Sequence, residues 1–122
     1  MGNMSVLILG ASDRPDRYSF KATESLERLG YPIFLVANQV KEYDGKLIRK
    51  DFPIGEKIDV ITLYLGPKNQ EIWYDSIILA HPRKVIFNPG TENPVLQERL
   101  NVAGIPWEEA CTLVLLHTGQ FP

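Results

Sequence analysis

Residues 6–19 read VLILGASDRPDRYS, an apolar run followed by a turn of small residues and then a helix that we expect to be N-capped by Ser19. The apolar run is typical of a strand buried on both faces of a parallel sheet. A strand, a tight turn and a helix N-terminus form a corner where backbone N–H groups and the helix dipole favour an anion. The stretch therefore predicts a nucleotide-binding βαβ unit in which Gly10, Ala11 and Ser12 contact the phosphates of the nucleotide.

The same stretch lacks the complete G-x-G-x-x-G fingerprint of NAD-binding domains, because Ser12 and Pro15 stand at the positions of its second and third glycines. Such domains usually place an acid at the end of the second strand to hold the ribose, whereas residues 36–39 read VANQ. Basic residues lie close to the first turn: Arg14, Arg17 and Lys21. These features favour a phosphate-rich adenine nucleotide other than NAD.

Size and composition predict one globular domain over residues 1–122, since 44% of the residues are hydrophobic and 23% are charged. A net charge of −2 without a basic stripe argues against a nucleic-acid partner. No apolar run approaches the roughly 20 residues of a membrane span, and no secretion signal is visible, so we expect a cytoplasmic protein. The single cysteine, Cys111, and two histidines predict neither a disulfide nor a metal site, and we assign no catalytic residue.

Strands and helices alternate along the chain. Apolar runs at 6–9, 33–36, 60–65 and 85–87 predict buried strands, and three amphipathic stretches between or after them predict helices. A weak fifth strand is expected at 105–107, an irregular connection at 41–57, and either a strand or a helix at 112–116. The pattern predicts a three-layer α/β fold, a Rossmann-like doubly wound parallel sheet of about five strands in the order 3-2-1-4-5.

That order places a ligand crevice beyond the first and fourth strands, where Gly10 would face Asn88, Pro89 and Gly90. Helix boundaries are indicated by capping residues and by prolines at first helical positions. The boundary residues are Ser19 and Gly30 for the first helix, Pro67 for the second, and Asn93, Pro94 and Gly104 for the third.

Several short motifs, in this order and spacing, resemble a family of small stand-alone CoA-binding domains, which are similar to the nucleotide-binding domain of succinyl-CoA synthetase alpha chains. The motifs are Gly10-Ala11-Ser12 with Arg17-Tyr18-Ser19, Leu29-Gly30-Tyr31-Pro32 with Val36-Ala37-Asn38, Tyr43-Asp44-Gly45, the stretch 59–63, Leu65-Gly66-Pro67, and the stretches 87–93 and 110–114. The resemblance covers nearly the whole chain.

The resemblance implies a Rossmann-like domain that binds CoA in the crevice. By matching position, Gly10, Ala11, Ser12 and Ser19 would cradle phosphate, and Asn38 would lie near the adenosine ribose. Leu65-Gly66-Pro67 would border the adenine. The complete set of expected CoA-binding residues is Gly10, Ala11, Ser12, Arg17, Tyr18, Ser19, Asn38, Leu65, Gly66, Pro67, Asn88, Pro89 and Gly90.

These observations favour a protein that binds CoA or an acyl-CoA without catalytic machinery of its own. One alternative is an NAD(P)-linked oxidoreductase domain or subunit. Another is a regulatory interaction domain whose nucleotide crevice is vestigial. A protein partner or self-association is compatible with each of these functions.

Overall fold

The computed structural model describes residues 4–122, in which seven strands form one sheet. The strands are β1 (Val6–Leu9), β2 (Ile33–Val36), β3 (Lys41–Tyr43), β4 (Lys46–Arg49), β5 (Val60–Leu63), β6 (Lys84–Phe87) and β7 (Trp107–Glu109). The helices are α1 (Tyr18–Arg28), α2 (Pro67–Gln70), α3 (Tyr74–Ala80), α4 (Pro94–Ala103) and α5 (Thr112–His117), with a 3₁₀ turn at Glu71–Trp73 between α2 and α3.

Side chains on the central strand β1 alternate between two hydrophobic cores, one on each face of the sheet. Leu7 and Leu9 belong to the first core, which α3 and α4 cover. Val6 and Ile8 belong to the second core, which α1 and α5 cover. All four side chains are fully buried. A strand that is apolar at every position therefore lies between two helical layers, and the predicted three-layer doubly wound α/β fold is confirmed.

The strand order is β3-β4-β2-β1-β5-β6-β7, with β3 antiparallel to β4, so the predicted sheet of about five strands in the order 3-2-1-4-5 lacks two strands and misplaces a third. The strand predicted at 60–65 is β5, which pairs with β1 rather than lying beyond β2. Its expected place is taken by β4, which pairs in parallel with β2. When β4 is counted as the third parallel strand, the order of the parallel strands becomes 3-2-1-4-5-6, the usual arrangement of dinucleotide-binding sheets.

Strand β4 comes from the stretch 41–57, which we expected to be irregular. A two-residue turn at Asp44 and Gly45, with φ values of +49° and +75°, joins β3 and β4 as an antiparallel hairpin. Backbone of this kind matches the twist of a hairpin. Ile48 is the one buried residue of β4, so the stretch carries too little apolar pattern to reveal a sheet strand.

Helix boundaries agree with the predictions except at Ser19. Helix α1 begins at Tyr18, and Arg17 occupies the N-cap position with the extended backbone that a cap requires. Ser19 is the second residue of the helix, so its predicted capping role is wrong. Gly30 ends α1 with φ +87°, and Asn93 caps α4 by accepting hydrogen bonds from two backbone N–H groups.

The remaining elements settle the open assignments. The stretch 112–116 is helical and forms α5, while the fifth predicted strand, β7, lies two residues later than expected and pairs in parallel with β6. Pro67 and Pro94 are the first residues of α2 and α4, as predicted. The second predicted helix is interrupted, because a 3₁₀ turn separates α2 from α3.

Candidate functional site

A crevice of about 670 Å³ lies beyond the carboxyl ends of β1, β5 and β6. Its volume falls within the 300–1,000 Å³ range of small-molecule and cofactor sites. The lining residues are Gly10, Ala11 and Ser12 from the turn after β1, Arg14, Asp16, Arg17, Tyr18 and Ser19 from the start of α1 and the loop before it, and Tyr64, Leu65, Pro89 and Thr91 from the loops after β5 and β6. The crevice opens at the edge of the sheet where ligands of doubly wound domains bind.

The first turn lies directly against Tyr64, the residue that follows β5, while the loop at 88–91 lies one strand further away and shares the crevice through Pro89 and Thr91. Gly10 has φ +99°, and a Cβ atom there would lie 2.9 Å from the carbonyl carbon of Tyr64. The N–H groups of Gly10 and Ala11 both donate to the carbonyl oxygen of Val36, at 2.8 and 3.1 Å. An anion at this turn would therefore meet the N–H of Ser12, which has no acceptor within residues 4–122.

The N-terminus of α1 forms the second wall of the crevice. No side chain caps this helix, and its first turn carries no acidic residue. Ser19 is buried and lines the crevice. The first N–H groups of a helix need acceptors from outside it, and the helix dipole attracts negative charge to them. This wall is suited to an anion.

Charged side chains at the mouth of the crevice have mixed sign. Arg14, Asp16 and Arg17 all line it. Arg14 Nε lies 3.8 Å from Asp16 Oδ1, and both side chains are largely exposed. An exposed pair at this distance contributes little to stability, so the Arg14 guanidinium is available to a phosphate ligand.

Gln70 connects the two loops that form the third wall of the crevice, a role that sequence patterning does not indicate. Its Nε2 atom donates to the carbonyl oxygens of Leu65 and Thr91, both at 2.8 Å. Its Oε1 atom accepts from Asn93 Nδ2 at 2.8 Å. Gln70 is fully buried, so these bonds form without competition from water. A glutamine in an otherwise polar stretch carries no periodic signal of burial.

Asn88 lies behind the crevice rather than in its lining. Its amide donates to Thr62 Oγ1 at 2.7 Å and to the Leu63 carbonyl oxygen at 2.8 Å, and its Oδ1 atom accepts from the N–H of Thr112 at 2.9 Å. The side chain joins β5, β6 and α5. Its polar atoms are therefore engaged within the protein.

Asn38 lies on the other side of the first turn, in a groove of about 290 Å³. This groove shares Ala11, Ser12 and Arg14 with the crevice, so the two spaces adjoin. Lys41 also lines the groove, and its Nζ atom lies 3.5 Å from Asp13 Oδ1.

Four of the predicted site residues lie outside the lining of both the crevice and the groove: Gly66, Pro67, Asn88 and Gly90. Gly66 and Pro67 begin α2. The N–H of Gly90 donates to Glu92 Oε1 at 3.0 Å. The structure thus brings together Gly10, Ala11, Ser12, Arg17, Tyr18, Ser19, Leu65 and Pro89, with Asn38 in the adjoining groove and Asn88 behind.

Tyr64 lines both the crevice and a smaller cavity that adjoins it. Burial raises the pKa of its phenol to about 12, so the side chain stays neutral at physiological pH. The neutral Tyr64 side chain therefore adds no negative charge to the crevice that Arg14 and Arg17 also line.

Within residues 4–122, no helix is long and apolar enough to cross a membrane, and no three potential metal-ligating side chains come together.

Comparison with known proteins identifies relatives along nearly the whole chain. A protein of uncharacterised function, known from a crystal structure, shares 42% identity at a TM-score of 0.92, over 97% of this chain and 98% of that chain. A Thermus thermophilus protein shares 24% identity at a TM-score of 0.83, over 97% of this chain and 90% of that chain. A hypothetical protein from Pyrococcus horikoshii shares 23% identity at a TM-score of 0.84, over 94% of this chain and 82% of that chain. The latter two likenesses show the fold alone.

No curated protein matches this chain. The model of a family described as a CoA binding domain matches residues 4–117. This match covers every strand and helix of the structure and confirms the resemblance found in the sequence. The chain therefore belongs to the CoA-binding domain family.

Proposed function

We propose that this protein binds CoA, with the pyrophosphate in the crevice between the first turn and α1. The observation that carries this proposal is that one space of cofactor size is lined both by Ser12, whose N–H has no acceptor within residues 4–122, and by the first residues of the uncapped helix α1. Backbone donors and a helix dipole that converge on one point form a phosphate site without further residues. Membership of the CoA-binding domain family supports CoA as the ligand.

In this arrangement the phosphate oxygens would accept from Ser12 N–H and from the first N–H groups of α1, and Ser19, which also lines the crevice, would offer its hydroxyl. Arg14 and Arg17 add positive charge at the mouth. An arginine at an exposed position attracts a phosphate and can bind it through two N–H groups.

The adenosine end would occupy the groove that adjoins the crevice at Ala11 and Ser12. Asn38 offers an amide to the ribose, and Lys41 offers a cation to the 3′-phosphate that distinguishes CoA from many nucleotides. When Lys41 binds the phosphate, Asp13 would lose its ion pair with Lys41 and be hydrated by water instead. Leu65 lines the crevice and not this groove, so in this arrangement it would contact the part of the ligand next to the pyrophosphate instead of the adenine.

Binding, rather than a reaction, is the function that these residues support. The protein would hold CoA or one of its thioesters in the cytoplasm, the compartment that a single unpaired cysteine suits. The phosphate site alone would also accept NADP, so the ligand must be tested directly.

Calorimetric titration of the protein with CoA, dephospho-CoA, NAD and NADP tests this proposal. CoA should bind most tightly, and dephospho-CoA should bind more weakly because it lacks the 3′-phosphate. The variant Lys41→Ala should remove most of that difference, while Lys68→Ala, an exposed lysine on α2 outside the crevice, should leave it unchanged. Tighter binding of NADP than of CoA would favour an oxidoreductase domain, and binding of none would favour an interaction domain with an unused crevice.

A further inference from the structure

A second cavity, of about 250 Å³, adjoins the crevice and shares lining residues with it. Tyr18, Tyr64 and Pro89 line both spaces. Cys111 and Leu113, from the start of α5, close the far side of the cavity together with Asn88. A ligand in the crevice could thus extend into this cavity past Tyr64.

The lining of the cavity favours an apolar occupant. None of its six lining residues carries a charge, in contrast to the mouth of the crevice with Arg14 and Arg17. The amide of Asn88 is already engaged with Thr62, Leu63 and Thr112. An apolar group that entered would gain from leaving water, whereas a charged group would find no opposite charge in the lining.

The size of the cavity indicates which part of a ligand it can hold. Its 250 Å³ is below the 300–1,000 Å³ range of sites that enclose a complete small molecule. The neighbouring crevice of about 670 Å³ falls within that range. The cavity is therefore suited to the end group of a ligand whose body lies in the crevice.

We propose that this cavity holds the acyl group of a short, apolar CoA thioester, so that the protein prefers acyl-CoA to free CoA. The inference rests on the proposed binding of CoA in the crevice. The same chemistry disfavours an acyl group that ends in a carboxylate, because a buried charge without a partner is costly. Apolar acyl chains should be preferred to carboxylated ones of equal length.

Affinity measurements over a series of thioesters test this directly. Calorimetric titration of the wild-type protein with CoA, acetyl-CoA, butyryl-CoA and succinyl-CoA requires no variant to fold. Affinity should rise about fourfold for each buried methylene from acetyl-CoA to butyryl-CoA, which is the gain expected for apolar transfer. Succinyl-CoA should bind at least tenfold more weakly than butyryl-CoA.

A variant whose side chain fills the cavity provides the second test. Cys111 occupies the N-cap position of α5 without a side-chain capping bond, so Cys111→Leu removes no cap and adds apolar volume to the cavity wall. This variant should bind CoA as the wild type does and lose the preference for butyryl-CoA. Val114→Leu is the matched control, because Val114 is an exposed residue of the same helix and does not line the cavity.

The outcomes separate the two proposals. If CoA and butyryl-CoA bind equally well, or succinyl-CoA binds best, the acyl cavity is refuted while CoA binding stands. If Cys111→Leu folds and keeps the full preference for butyryl-CoA, the acyl group lies elsewhere and the inference is likewise overturned. Failure of every thioester and of CoA itself to bind would remove the proposed function together with this extension.

Discussion

Gly10 and the backbone of Tyr64 are in such close contact that a Cβ atom on Gly10 would lie 2.9 Å from the Tyr64 carbonyl carbon. The contact arises because β1 and β5 are neighbouring parallel strands whose carboxyl ends meet at the crevice. The first turn is thus held by hydrogen bonds to Val36 at the end of β2 and by close contact with Tyr64, which follows β5. Gly10 therefore contributes both to the packing of β1 against β5 and to the lining of the crevice.

Gly10→Ala should destabilise the protein by about 3 kcal/mol, from a positive φ that L-residues adopt poorly and from overpacking against Tyr64. Gly55→Ala is the control, since Gly55 has φ +90° but open space around the new Cβ atom. Gly55→Ala should lower the free energy of unfolding only by the cost of a positive φ in an L-residue, about 1–2 kcal/mol. Urea denaturation of both variants measures the difference, and equal losses would show that Tyr64 moves aside.

Ser19→Ala should weaken CoA binding by about tenfold and change the free energy of unfolding by less than about 0.5 kcal/mol, because Ser19 does not cap α1. Ser25→Ala, at a partly exposed position of the same helix, should affect neither quantity. Calorimetry and urea denaturation of the two variants test this. A loss of about 1 kcal/mol in stability would instead indicate a capping role for Ser19.

Gln70→Leu should destabilise the protein by about 3 kcal/mol, since it leaves the Leu65 and Thr91 carbonyl oxygens and the Asn93 amide without their buried partner. CoA affinity should fall as well, because the two loops lose their common support. Asn69→Ala removes a neighbouring exposed amide of α2 and should be neutral. Unfolding curves and titrations that leave Gln70→Leu unchanged would contradict the role of this side chain.

Tyr64 should make stability depend on pH in the alkaline range. Its pKa is about 12 in the folded protein and about 10 in an unfolded chain, so the unfolded state loses this proton first. The contribution is complete below pH 10 and is lost as pH rises from 10 to 12, by up to about 1.4 kcal/mol per pH unit.

Tyr64→Phe removes this titration. Urea denaturation between pH 9 and 11.5 should therefore give a shallower decline in stability for the variant than for the wild type. Parallel curves for the two proteins would show that the phenol ionises as freely in the folded state as in the unfolded one.

The sequence predicted the parts of the fold that local pattern controls. The strands β1 and β2 lie where their apolar runs place them, and Gly30 and Asn93 mark helix ends by chemistry that acts within one turn. The hairpin strand β4 was missed because Ile48 alone is buried there. Because β4 was not recognised, the strand at 60–65 took its place beside β2 in the predicted sheet. The strand at 85–87 was therefore predicted beside β1, where the structure has β5.

Long-range polar contacts could not be predicted in the same way. Gln70 meets Thr91 across 21 residues and Asn88 meets Thr112 across 24, and nothing in the local pattern marks either pair. Ser19 lines the crevice, but it follows the N-cap residue Arg17 instead of capping α1 itself.

Backbone amide chemical shifts during a CoA titration, measured by NMR on isotope-labelled protein, test the central claim most directly. The account predicts the largest changes at Gly10, Ser12, Tyr18 and Ser19, and no change at Gly55, which lies in a different part of the surface. Shifts that cluster away from the first turn and the start of α1, with these four amides unmoved at saturating CoA, would contradict it.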